Sequence, residues 1–146
     1  MNLKQTKNEN KADSLKRNNS KDYGDWIGRM KWKYMVTIRK NYKTNSTVVR
    51  NTAMKLIKSL ESYTRVVYVG ERDSVDYNNY HLHILIDGKN KEILLKGLNS
   101  YKKRNKGDLV HIEEIKNSYD AGMYITKHFN INTLTKSDIV WDIIQN

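Results

Sequence analysis

The chain has 146 residues, 27 Lys and Arg against 16 Asp and Glu, and a formal net charge of +11. That length suits one domain with a proper core and leaves no room for a second catalytic domain of ordinary size. The charge favours a polyanionic partner, most simply nucleic acid, and the absence of cysteine excludes disulfides and thiolate zinc sites. No apolar run exceeds strand length and the N-terminus is polar, so neither a membrane span nor a secretory leader is expected. The composition thus predicts an intracellular, soluble protein with no membrane partner.

Residues 1–22 are rich in Asn, Lys and Ser with almost no apolar side chains. They cannot bury enough surface to offset the entropy of ordering, and a mobile basic arm is expected there. Residues 23–146 are expected to form a single domain. From Trp32 the pattern changes, and Lys33 to Arg39 has the β-branched and aromatic content of a strand. Ser46 or Thr47 can then cap a helix whose Val49, Ala53, Leu56, Ile57 and Leu60 recur at helical spacing. Thr64 to Glu71 and Tyr80 to Asp87 read as the second and third strands. Leu94, Leu98 and Tyr101 line one stripe of a helix over Lys91 to Lys102, and Gly107-Asp108 ends it before a fourth strand, Leu109 to Ile115. Asn117 or Ser118 opens a third helix carrying Tyr124 and Lys127, and Ser137 or Asp138 opens a short last helix. The order β-α-β-β-α-β-α predicts an α+β, ferredoxin-like split βαβ fold, an antiparallel sheet with helices packed on one face and the active site on the open face.

The chemistry concentrates in Tyr80-His81-Leu82-His83-Ile84-Leu85-Ile86-Asp87. Alternation along a strand sends Leu82, Ile84 and Ile86 to one side and His81 with His83 to the other, which makes half a metal site. Glu71 closes the preceding strand, and a hairpin would bring its carboxylate near both rings; Asp73, Asp76 and Asp87 are neighbouring candidates for the same role. Two imidazoles and one carboxylate leave coordination positions for water and a phosphate oxygen, and such a set suits Mn²⁺ or Mg²⁺, with zinc also compatible. Downstream, Lys127 lies one helical turn after Tyr124. A phenol of pKa about 10 needs a nearby cation to become a nucleophile at neutral pH. Tyr119 precedes Tyr124 by five residues, roughly 140° around a helix, so a single nucleophile is expected. His111 and His128 read as surface or packing residues. Arg39, Lys40, Lys43, Arg65, Arg72, Lys102, Lys103 and Arg104 are candidate phosphate contacts, and Trp26, Trp32, Tyr77 and Tyr80 are candidates for stacking on unpaired bases.

In this order and spacing, the residues between Trp32 and Phe129 resemble the HUH endonuclease superfamily, most closely the replication initiator (Rep) nucleases of small rolling-circle viruses and plasmids. The resemblance rests on Met35-Val36-Thr37-Ile38 as a first-strand motif, Gly70-Glu71 as the carboxylate ligand, His81-Leu82-His83 as the histidine motif and Tyr124-Ile125-Thr126-Lys127 as the Tyr-x-x-Lys motif. Val110-His111-Ile112-Glu113-Glu114 also looks like the strand that family places before the last helix. The resemblance implies a metal-dependent nick in single-stranded or hairpin origin DNA. Tyr124 would form a 5′-phosphotyrosine, Lys127 would assist it, and Glu71, His81 and His83 would hold a divalent cation. Viral relatives often continue into a helicase, whereas few residues follow Phe129 here. Unwinding would then come from a separate helicase working with a host polymerase, or the chain is a truncated piece. Two other readings compete: a single-tyrosine transposase of the same superfamily, whose nucleophile helix usually lacks the lysine, and a ferredoxin-like nucleic-acid-binding module without catalysis.

Overall fold

The computed structural model describes residues 21–72, 79–127, 129 and 139–146. Five strands, β1 (Tyr34–Arg39), β2 (Arg65–Arg72), β3 (Tyr80–Asp87), β4 (Leu109–Glu114) and β5 (Ile139–Gln145), form one sheet in the order β4-β1-β3-β2-β5 with every neighbouring pair antiparallel. Residues 21–28 are helical (α1), followed in chain order by α2 (Ser46–Ser59), α3 (Lys91–Arg104) and α4 (Ser118–Ile125). The α+β class and the ferredoxin-like arrangement are those expected, with β5 added beyond β2.

Pleating divides the apolar residues between two layers. Val36, Ile38, Val66, Tyr68, Leu82, Ile84 and Ile86 face α2 and α3, where they meet Ala53, Leu56, Leu94, Leu98 and Tyr101 in the main core. Gly70 lies under α2 at a point where an added Cβ would fall onto Val49, so the absence of a side chain lets the helix sit close against the strand beside Glu71. On the other face Val67, Val69 and Leu85 form a smaller cluster with Ile27, Trp32 and Ile125. That second face is therefore partly roofed by α1 and α4.

The sequence reading departs from the structure in four places. The short last helix is instead strand β5: five of its seven residues are β-branched or aromatic, and both of its faces bury apolar groups, Val140 and Ile144 in the main core, Trp141 and Ile143 in the second. The Ser/Asp cap signal before it was outweighed by this pairing. Residues 21 and 22, assigned to the arm, begin α1, while residues 1–20 lie outside the described residues. The cap of α2 is Asn45, whose side chain accepts from the Val48 amide at 3.0 Å, one residue before the expected Ser46. Finally, α4 ends at Ile125, so Lys127 follows the helix in a turn rather than riding on its face.

Candidate metal centre

Register alone assembles the centre. Glu71 on β2 pairs directly with His81 on β3, and the next pair on the same face is Val69 with His83. Thr37 on β1 pairs with His83 from the other side, and Arg39 with His81. Glu71, His81 and His83 each offer a ligand atom, and these atoms lie within 4.8 Å of one another. The side chains of Glu71 and His83 are 5% exposed and that of His81 11%. His81 Nε2 lies 2.7 Å from Glu71 Oε1, His83 Nε2 3.6 Å from the same oxygen, and Lys127 Nζ 3.5 Å from it. Three nitrogens thus converge on one carboxylate oxygen.

The electrostatics follow from that convergence. Burial alone would raise the Glu71 carboxyl, but its contacts with His81 and His83 and the nearby Lys127 charge outweigh burial and hold it well below the usual carboxylate range. Burial pushes the His83 imidazole down, only partly offset by Glu71, so the ring is neutral at neutral pH. Thr37 Oγ1 lies 3.1 Å from His83 Nδ1. His83 Nε2 and His81 Nδ1 are buried without a hydrogen-bond partner. Unsatisfied buried ring nitrogens are costly, and a cation beside the Glu71 carboxylate would satisfy the one on His83. The residues present could therefore hold a metal ion.

Tyr124, at the end of α4 and 45% exposed, packs its ring against that of His83 with centroids 5.3 Å apart. Lys127 Nζ lies 3.6 Å from the centre of the same ring. One lysine thus bridges the carboxylate ligand and the phenol. Tyr119 is not part of this group: its hydroxyl bonds to Asp25 of α1, as the helical angle required.

The remaining sequence candidates divide sharply. Arg39 is exposed on the site face beside His81. Tyr80 and Arg72 form the register pair one step beyond His81 and Glu71, so they belong to the opposite face; Tyr80 is 6% exposed in the main core, with the Arg72 guanidinium 5.1 Å from its ring centre. Both therefore lie on the face away from the centre. Lys40 is held by Asp108 at 2.9 Å and is largely buried. Lys102, Lys103 and Arg104 are exposed, but at the end of α3 on the helix-covered side. Trp32 is buried, its indole N–H donating to the Ile27 carbonyl at 2.7 Å, whereas Trp26 is 45% exposed. Asp87 pairs with Lys33 at the far end of β3. Asp73, Asp76, Tyr77 and His128 lie outside the described residues.

Two contributors escaped the residue-by-residue reading. Thr37, part of the first-strand motif, is one; its signal is the alternation of β1, which puts residue 37 on the face opposite Val36 and Ile38. Helix α1 supports the Tyr124 helix at close quarters: an added Cβ at Gly122 would fall onto the backbone of Gly28. Its signal was the Tyr23, Trp26, Ile27 spacing ahead of Trp32. Among the described residues no helix is long and apolar enough to cross a membrane. No protein-family model matches this chain, nor does any curated protein or solved structure.

Proposed function

We propose that this protein is a metal-dependent endonuclease and strand transferase acting on single-stranded DNA, a rolling-circle replication initiator of the HUH type. The observation that carries the reading is the convergence of Lys127 on both the Glu71 carboxylate, at 3.5 Å, and the Tyr124 ring, at 3.6 Å, beside two buried imidazoles. A binding module without catalysis has no use for a cation-ready triad adjoining an exposed phenol.

A divalent ion, Mn²⁺ or Mg²⁺, held by Glu71, His81 and His83 would draw negative charge from a phosphate oxygen and make the phosphorus more electrophilic. The Tyr124 oxygen attacks the phosphorus, giving up its proton to solvent. The new bond is Tyr124 O–P, and the bond to the 3′ oxygen breaks, that oxygen taking a proton to leave as a free hydroxyl. Lys127 stabilises the phenolate as it forms and the charge that develops on the phosphate. The phosphotyrosine keeps the ester, so a 3′ hydroxyl can attack it in turn and rejoin the strand. In this reading the protein works inside its host cell on an origin, and the host polymerase extends the released 3′ end.

The test is to incubate the protein with labelled, hairpin-bearing single-stranded oligonucleotides and Mn²⁺, denature, and look for a covalent adduct. Adduct is expected with the wild type and none with Tyr124→Phe, which should still bind the oligonucleotide. Equal labelling of Tyr124→Phe would move the nucleophile elsewhere, and no adduct across a broad pool would favour the binding module.

A further inference from the structure

The two edges of the sheet differ in kind. β4 closes one edge and carries exposed Glu113 and Glu114, charges that discourage the approach of another strand. β5 closes the other, and among the described residues it has a strand neighbour on one side only. Its sequence, Ile-Val-Trp-Asp-Ile-Ile-Gln, holds no Lys, Arg or Pro and a single charge, Asp142. Such an edge is a template for pairing. A second observation falls at the same place. Trp141 packs against Tyr23 and Phe129, with ring centroids 5.3 and 5.2 Å away, and Trp26 lies 6.5 Å from Tyr23. Tyr23 and Trp26 remain 37% and 45% exposed. A half-exposed aromatic cluster beside an unguarded strand is the composition of an interface.

We propose that β5 joins two copies of this chain, antiparallel and centred on Trp141, so that the two sheets become one. The occupant is a second copy because the strand complements itself in that register. On the triad face Trp141 meets its own counterpart and Ile143 stands opposite position 139, also isoleucine, and such cross-strand apolar and aromatic pairs are stabilising. On the helix-covered face Asp142 stands opposite Val140, whereas a register centred on Asp142 would oppose two carboxylates. Arg50 of α2 lies on that face, close enough for its charge and that of Asp142 both to act on Tyr68, so each copy brings a cation to the acids at the seam. With +11 on each chain, two copies repel wherever lysine and arginine are dense, and β5 has neither. Val69 pairs with both His83 and Trp141. The register therefore sets the two His83 residues in line across a dyad perpendicular to the sheet, five strand spacings or about 24 Å apart, with both candidate metal centres facing the same way. None of this depends on the nuclease reading.

The test is sedimentation equilibrium of the full chain without DNA. A dimer is expected at micromolar concentration, and it should tighten between about 50 and 500 mM salt as the repulsion is screened, opposite in sign to nucleic-acid binding. Ile143→Lys places a charge at the seam and should weaken association at least about tenfold with an unchanged circular dichroism spectrum. Asp142→Thr, at an exposed position that spares the fold, removes the charge of β5 and should tighten association several-fold; it decides the matter if Ile143→Lys does not fold. The register has its own readout. The chain has no cysteine, so Gln145→Cys takes a single spin label, and the two labels of a dimer centred on Trp141 should lie about 26 Å apart, roughly eight residues along the strands. A chain still monomeric at about 100 μM would overturn the inference and leave the edge to a strand of a different protein. Association equal in the wild type and both seam variants would overturn it by placing the contact elsewhere, and so would labels without dipolar coupling. Each of these results leaves the nuclease reading as it stands.

Discussion

The hydroxyl of Thr37, 3.1 Å from His83 Nδ1, is placed to accept the proton of that ring nitrogen. With Nδ1–H donating to Thr37, the lone pair stays on Nε2, the atom that has no partner and lies beside Glu71. Thr37→Val removes the acceptor with little change of volume. It should weaken Mn²⁺ binding about tenfold by titration calorimetry, while Thr37→Ser should stay near wild type. Equal affinity for the valine and wild-type proteins would show that packing alone orients the ring. Lys127 makes a second prediction at this scale. It contributes a positive charge next to Glu71, so Lys127→Met should tighten divalent binding even as it slows adduct formation. A variant weakened in both would assign the lysine to holding the carboxylate in place.

The crossing of α1 and α4 is where Tyr124, the proposed nucleophile, gains its position. Gly28 and Gly122 let the two backbones touch, and the Tyr119–Asp25 hydrogen bond ties the helices together. Gly122→Ala should cost about 1–3 kcal/mol in denaturant unfolding, because a methyl group must push the helices apart. It should also slow adduct formation while Mn²⁺ affinity holds; an unchanged unfolding midpoint would refute the close crossing. Most strands and the candidate ligands were legible in the sequence because their signals are local: period-two alternation put His81 and His83 on one face, and the hairpin paired Glu71 opposite His81. Helix α1 left only the faint Tyr23, Trp26, Ile27 spacing, since it is short, follows a polar stretch and packs through Ile27 with Trp32 and Ile125 in the second cluster. Strand β5 was misread for a similar reason, its partner β2 being distant in sequence. Tyr80 and Arg72 lie on the face away from the centre, which residue type alone does not reveal: one step along a strand turns a side chain to the other side of the sheet.

For the molecule as a whole, charge and acidity set the working range. Glu71 binds its proton less readily in the fold than in the unfolded chain, so its contribution to stability is present above its ordinary value of 4.5 and is lost as pH falls below it. His83 is also lowered, and its contribution is complete above 6.5 and lost on acidification. Stability measured without metal should therefore fall as pH drops below 6.5, through His83, and fall further below 4.5, through Glu71; a flat profile from pH 7 to about pH 3 would contradict the buried carboxylate–imidazole group. The net charge of +11 predicts that single-stranded DNA affinity drops about tenfold or more between 50 and 200 mM salt, and insensitivity to salt would argue against phosphate contacts. The α1–α4 crossing also separates two capacities that share one surface. Shortening the chain to start at Lys31 would keep every ligand for the ion on β2 and β3, yet strip the buttress from the tyrosine. Such a fragment, if it folds, should take up Mn²⁺ normally and be a poor nuclease.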